Sequence, residues 1–357
     1  MKKILFSAYS LDVGGIETAL ITLLKNIHSK YEITICLEKK EGIFLQDIPK
    51  DINIITYKPN NNKIKLIRKG INFLKQQIFK IKYKNKFDFA VCYATYSYSA
   101  SFVSRTAGKK SALWVHNDYM SFYNNNVNEY KKFFENLKAK EFEEIVFVSE
   151  YDKLIFEQNF EELKSKCVKC NNLIDYEKVL KKSQEKITDF EKENNIITFI
   201  NLGRHDEKQK RLTRIINAAK KLNQEGYIFR VIFVGDGPDN ELYKKEAKDV
   251  SNIIFLGKKS NPYPYLEKSD CLLMSSDFEG YPVVFIESLI LGKPIITTNV
   301  SDSKKDIKGK FGIVVEKTEN GVYEGMKQYI EKGFNMEKFN PKEFNEKIIE
   351  KLEQIID

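Results

Sequence analysis

The chain has 357 residues, enough for two domains rather than one. Hydrophobic residues make up 42% and charged residues 31%, which describes a soluble globular protein, and no apolar run reaches the ~18 residues of a membrane span. Five widely spread cysteines argue for a reducing compartment, and the net charge of +9 is unevenly distributed along the chain.

Ile4-Leu5-Phe6-Ser7 reads as a buried first strand, too short for a signal peptide. Leu11 to Glu17 is a glycine turn, and the helix after it carries Ala19, Leu20, Leu23, Leu24 and Ile27 on its inner face. Strand, Gly14-Gly15, helix places free backbone N–H groups beside a strand's carboxyl end, where open α/β sheets bind ligands. The Gly-x-Gly-x-x-Gly spacing of dinucleotide sites is absent, and a tight turn without a ligand is the plainer alternative. Glu32 to Leu37 and Ile52 to Ile55 are the next strands.

From Lys58 to Lys86 there is no acidic residue, and ten are Lys or Arg. Ile64, Ile67, Ile71, Leu74, Ile78 and Ile81 fall at alternating steps of three and four, one apolar stripe of a helix with a basic opposite face. The expectation is that this stripe packs on its own domain. The basic face would add a weak attraction to an anionic membrane. No base-stacking or recognition motif accompanies it, so nucleic acid is not indicated. Strands follow at Phe87 to Tyr93, Ser111 to Val115 (ending in His116-Asn117-Asp118) and Ile145 to Val148, the last closed by Ser149 as a helix cap. Cys167-Val168-Lys169-Cys170 lacks a second pair or a nearby His and reads as packing rather than redox or zinc chemistry.

The charged stretch Lys178 to Asn195 reads as a domain boundary, and the pattern then restarts. Strands are predicted at Ile196 to Gly203, Phe229 to Val234, Ile253 to Gly257, Cys271 to Ser275, Pro294 to Thr298 and Gly312 to Val315. A last helix begins near Pro341. Strands alternating with helices mean βαβ units and parallel sheets, in two halves of one architecture facing a cleft.

Three stretches carry chemistry. Gly203-Arg204 ends a strand and Lys210 opens the next helix, two cations at a strand-end loop that suit a diphosphate, although a solvated basic loop is the bland reading. Glu279 lies in the Gly280-marked turn of Phe278-Glu279-Gly280-Tyr281-Pro282, and Glu287 lies on the apolar helix that follows. A carboxylate there is costly without a polar partner; ribose or sugar hydroxyls are suitable, and a structural Lys or Arg is the alternative. His116 ends an apolar strand, as a sugar-facing donor or as a capped structural histidine. No Asp-x-Asp and no metal-spaced cluster occurs, so the charge of a leaving diphosphate falls to Arg204, Lys210 and helix N-termini.

Taken together, Gly14-Gly15-Ile16-Glu17, Gly203-Arg204 with Lys210, Gly235-Asp236-Gly237-Pro238, and Glu279 with Glu287 resemble family-4 glycosyltransferases, with Phe278 to Leu289 similar to that family's Glu-x7-Glu motif. The resemblance implies an α/β GT-B fold of two Rossmann-like domains. These would be an acceptor-side domain over 1–175, a donor-binding domain over 176–340, and a helix over 341–357 crossing back. It implies metal-independent transfer, with retention of configuration, from a UDP- or other nucleoside-diphosphate sugar to a glycan or polyprenyl-linked acceptor, without a cofactor. Arg204 and Lys210 would hold the diphosphate and Glu287 the ribose. Glu279 would contact the donor sugar, beside Gly280, Tyr281, Pro282 and Val283. His116 would face that sugar, Gly14 and Gly15 would approach the phosphates, and Gly203 and Lys258 would border the nucleotide. The expected location is cytoplasmic, peripheral on the inner face of the membrane. A sugar-nucleotide epimerase and a non-catalytic nucleotide-sugar-binding subunit are the alternatives. Arg211 stands where that family commonly has Gly, Leu173 replaces a Gly, and Ser301-Asp302-Ser303 replaces a Gly-rich pair.

Overall fold

A computed structural model describes residues 1–12 and 14–357; Val13, inside the predicted glycine turn, lies outside the described residues. The chain divides into two compact units, Met1–Leu173 with Glu346–Asp357, and Ile174–Asn345. The division falls within the last helix, Pro341–Ile356.

The first unit is built on seven strands: β1 Lys3–Ala8, β2 Glu32–Leu37, β3 Asn53–Thr56, β4 Phe87–Cys92, β5 Gly108–Val115, β6 Glu144–Phe147 and β7 Cys167–Lys169. They pair in parallel in the order β3-β2-β1-β4-β5-β6-β7. Helices cover both faces of such a sheet, which is why Ile4, Leu5, Phe6, Ala90, Val91 and Cys92 are all buried without polar alternation. β7 was not predicted. It is a three-residue, half-buried edge strand carrying part of the Cys-x-x-Cys segment, too short for any periodicity to show.

The second unit holds β8 Ile197–Leu202, β9 Phe229–Val234, β10 Ile253–Gly257, β11 Cys271–Met274, β12 Ile295–Thr298 and β13 Gly312–Val315, in the order β10-β9-β8-β11-β12-β13. Side chains alternate between two cores, as the strand period requires. Val231 and Phe233 of β9, with Leu273 of β11, enter one core, and Ile232, Val234 and Leu272 enter the other. The strand order reverses between β1 and β4 in the first sheet and between β8 and β11 in the second. Ligands of open parallel sheets bind at the carboxyl ends of strands flanking such a reversal.

The basic helix corrects one expectation. Lys65–Tyr83 is helical, but only Phe79 is buried, and it meets Tyr57 and Phe102 in an aromatic cluster. Asn72 exchanges two hydrogen bonds with the backbone of Asn60, and Lys75 donates to the Lys58 carbonyl, so the inward face is polar and aromatic. The predicted stripe points outward: Ile64, Ile67, Leu74, Ile78 and Ile81 are exposed.

Gly235-Asp236-Gly237-Pro238 supports the loop after β8. The His205 N–H donates to the Asp236 carbonyl at 3.0 Å, and the Asp239 N–H donates to the His205 carbonyl at 3.2 Å. A Cβ on Gly235 would lie 1.8 Å from the Gly203 oxygen, and one on Gly237 would lie 2.1 Å from the His205 oxygen. Gly235→Ala therefore forces the two loops apart. Urea denaturation should show a loss at or above the ~1–3 kcal/mol usual for overpacking, and an unchanged midpoint would refute the close approach.

Candidate active site

The loops after β8 and β11 lie side by side, because those strands are direct neighbours. Gly203 follows β8 at φ +155, a backbone region that suits glycine. Arg204 and His205 come next, and Asp206 caps the one-turn helix Glu207–Lys210. Across from it, Ser275 and Ser276 lead from β11 to Glu279 and then to the helix Val283–Ile290. Pro282 is the N-cap of that helix.

Glu279 is only 8% exposed, and the two loops satisfy its charge. Lys210 Nζ lies 2.6 Å from Oε1, the Ser276 hydroxyl donates to the same oxygen at 2.7 Å, and Gln209 Nε2 reaches Oε2 at 3.4 Å. Gln209 also donates to the Phe278 carbonyl at 3.2 Å and accepts from Arg204 Nη2 at 3.2 Å. Arg204, Gln209, Lys210 and Glu279 thus form one polar group over Gly203, where a Cβ would come within 3.9 Å of Lys210 Nζ. Arg204 is the most exposed member: its side chain is 62% exposed and pairs with Asp206 at 3.0 Å. Gln209 was not singled out in the sequence, since an uncharged side chain in a basic loop gives no signal there.

Arg211, which replaces a common glycine, adopts φ +51 and is held in that left-handed conformation by its contacts. Its Nε donates to Asp277 Oδ2 at 2.6 Å, and Arg214 Nη1 takes the other carboxylate oxygen at 2.6 Å. The Ser275 hydroxyl binds the carbonyls of Lys210 and Arg211. The Asp277 N–H donates to the Gln209 carbonyl at 2.8 Å. Asp277 therefore ties the loop bearing Lys210 to the loop bearing Glu279.

Glu287 sits on the buried helix, half-buried itself, and accepts from the Tyr263 hydroxyl at 3.0 Å. Tyr263, rather than the Lys or Arg of the alternative reading, is its direct partner in the structure. Burial pushes the Glu287 carboxyl up to about 7, only partly offset by Tyr263 and by the more distant charge of Lys178. Tyr281 is half-buried, and the Ser301 hydroxyl closes on the Gly280 carbonyl, so the Ser301-Asp302-Ser303 segment supports this turn. Val283 opens the helix and packs on the core. Lys258 is exposed at the end of β10, the edge strand two places from β8.

The remaining candidates belong to the first unit. Gly14 is the N-cap of the helix Gly15–Ile27. A Cβ on Gly14 would fall 2.1 Å from Glu17 Oε2, whereas Gly15 is open. Glu17 accepts from the Tyr96 hydroxyl at 3.1 Å, and burial raises its carboxyl above the usual range. His116 is buried at the end of β5, its ring 4.5 Å from that of Tyr93. Neither of its ring nitrogens has a well-formed hydrogen bond. Burial, opposed only by the backbone of Tyr93, pushes the imidazole down to about 3, which keeps it neutral.

Residues 196–353 match the family described as glycosyl transferases group 1, a span that contains Arg204, Lys210, Glu279 and Glu287. This chain carries a group 1 glycosyltransferase domain. The N-acetylgalactosamine-N,N'-diacetylbacillosaminyl-diphospho-undecaprenol 4-alpha-N-acetylgalactosaminyltransferase of Campylobacter jejuni is 27% identical over 348 residues, 93% of this chain and 91% of that protein. The glycosyltransferase's fold is the GT-B fold of solved transferases. Anabaena HepE in complex with UDP and glucose superposes with a TM-score of 0.73 at 17% identity, covering 99% of this chain and 100% of that one. The lipopolysaccharide outer core galactosyltransferase WaaB gives 0.67 at 18% identity, covering 98% and 100%.

Two outcomes follow from the site of this glycosyltransferase. A carboxyl whose folded pKa is raised to about 7 from an unfolded 4.5 costs nothing below 4.5 and its full penalty above 7. Glu287 should therefore make stability fall as pH rises from about 4.5 to 7, and Glu287→Gln should flatten the melting temperature over that window; an unaltered pH profile would refute the shift. Asp277→Asn removes the anion shared by Arg211 and Arg214. It should cost about 1–2 kcal/mol in urea denaturation, scaled for partial exposure, and an unchanged midpoint would show that Asp277 does not join the loops.

Proposed function

We propose that the protein is a retaining, metal-independent glycosyltransferase that moves a sugar from a nucleoside-diphosphate sugar, most simply a UDP-sugar, to a glycan or polyprenyl-linked acceptor in bacterial surface polysaccharide or glycolipid synthesis. It works on the cytoplasmic side of the membrane. The second unit binds the donor and the first binds the acceptor. The observation that carries this reading is the group at the β8/β11 reversal: Lys210 and Arg204 within reach of one another's partners, with Glu279 held beside Lys210.

Lys210 and Arg204 hold the diphosphate oxygens and neutralise charge as the bond to the sugar breaks, an electrostatic role suited to a fixed, partly desolvated cation. Glu279 orients the donor sugar through its hydroxyls. Glu287, aided by Tyr263, accepts from the ribose hydroxyls. In the transfer step the bond from the anomeric carbon to the diphosphate oxygen breaks and a bond to the acceptor oxygen forms on the same face. The acceptor's proton passes to the departing diphosphate, so no protein nucleophile is needed. His116, held neutral, offers a hydrogen bond to the donor sugar without adding charge. The relatives' names, transferases acting on lipid-linked and lipopolysaccharide substrates, support transfer over epimerisation or binding alone.

A panel of nucleotide-sugars incubated with the protein without acceptor tests this reading. Slow release of free sugar and nucleoside diphosphate from one donor is the expected result, while an epimerised nucleotide-sugar would identify an epimerase. With that donor saturating, Lys210→Ala should lower turnover by ~10²–10³-fold, the ~2.7–4 kcal/mol of a lost preorganised charge. Unchanged turnover would remove Lys210 from the mechanism.

A further inference from the structure

The helix Lys65–Tyr83 presents an unusual face. Leu66, Phe73, Leu74, Ile78 and Ile81 are each at least 60% exposed, and Ile67 is 45% exposed. At 100° per residue these six lie within one arc of about 140°, opposite Phe79, the buried residue that anchors the helix. Gly70 and Gln77 are the other residues in that arc. Lys69 and Lys80 flank one side of it and Lys82 flanks the other, with Lys65 further round, and all four are exposed. No acidic residue stands between Lys58 and Lys86 to neutralise them.

Exposed apolar side chains are ordinary when scattered, but a contiguous patch rimmed by one sign of charge marks a contact surface. We infer that this helix lies in the interface of an anionic lipid bilayer, with Leu66, Phe73, Leu74, Ile78 and Ile81 among the acyl chains and Lys65, Lys69, Lys80 and Lys82 against the headgroups. Charge complementarity selects this occupant. A lipid surface is apolar and anionic over the ~28 Å that 19 residues of helix span, which this face matches along its whole length. The basic rim also opposes pairing with a second copy of the same face, because like charges would meet along both edges. No helix among the described residues is long and apolar enough to cross a membrane, so the contact is peripheral. The inference needs no activity and stands apart from the transferase reading.

Vesicle flotation tests it with the intact protein. Binding to phosphatidylcholine vesicles containing phosphatidylglycerol should exceed binding to pure phosphatidylcholine by at least tenfold and should weaken with salt. A Leu74→Ser, Ile78→Ser, Ile81→Ser variant should lose binding while keeping the melting temperature, because those side chains are not part of the core. Replacing Lys65, Lys69, Lys80 and Lys82 by Gln should lower partitioning by ~10²-fold or more, at about 1 kcal/mol for each Lys near the surface. Trp114 is the sole tryptophan and is buried, so Phe73→Trp adds a reporter whose emission should shift to the blue on anionic vesicles. Equal binding to neutral and anionic vesicles, full binding by the serine variant, or an emission of the Phe73→Trp variant that vesicles leave unmoved would overturn the inference. So would self-association that the serine variant abolishes in the absence of any vesicle binding, which would assign the face to a second copy.

Discussion

A carboxylate 8% exposed needs charge and hydrogen bonds around it, and Glu279 obtains them from two loops that are neighbours only because β8 and β11 pair. Lys210 Nζ at 2.6 Å, the Ser276 hydroxyl at 2.7 Å and Gln209 Nε2 at 3.4 Å share the task. Removing any one of them would leave part of a buried charge unmet, which costs more than the contact itself contributes. The same dependence makes the site preorganised. Lys210 is fixed by the carboxylate it faces, and the carboxylate is fixed by Lys210, so in the proposed reaction a donor would meet charges already in position rather than ordering them on arrival.

Around that pair the unit is braced by groups that touch no ligand in the proposed reaction. Gly235 and Gly237 let one loop pass beneath Gly203 and His205 at a distance no side chain permits. Asp277 joins Arg211 and Arg214, and so sets the loop of Lys210 against the loop of Glu279. Arg211 keeps the left-handed backbone that glycine would adopt freely, with Asp277 as its restraint. Glu287 stands apart electrostatically. Tyr263 gives it one hydrogen bond and, among the described residues, no ion pair offsets its burial, so burial raises its carboxyl to about 7 and its ionisation becomes sensitive to whatever binds beside it.

The basic helix follows from a different constraint. Its unit already has a sheet with buried faces and an aromatic cluster of Tyr57, Phe79 and Phe102, and the helix joins it through Phe79 and the half-buried Tyr83 at its end. The remaining apolar side chains are surplus to the core. An amphipathic pattern alone states that two faces differ and leaves open which one faces inward.

What the sequence determined by itself was everything local. Continuous apolar runs specified the strands, since both faces of a parallel sheet are buried. Glycine, proline and capping residues specified the turns, and the spacing of Gly203-Arg204, Lys210, Glu279 and Glu287 picked out the strand-end loops to which the proposed reaction is assigned. β7 escaped because three half-buried edge residues have no period to read. Gln209, Asp277 and Tyr263 escaped because their importance lies in what they touch, at separations of 70, 66 and 24 positions. Tertiary structure alone decided those pairings, the neutral state of a buried His116, and the outward turn of the Ile64-to-Ile81 stripe. Each of these depends on burial and on distances across strands, and burial is a property of the packed chain rather than of any segment within it.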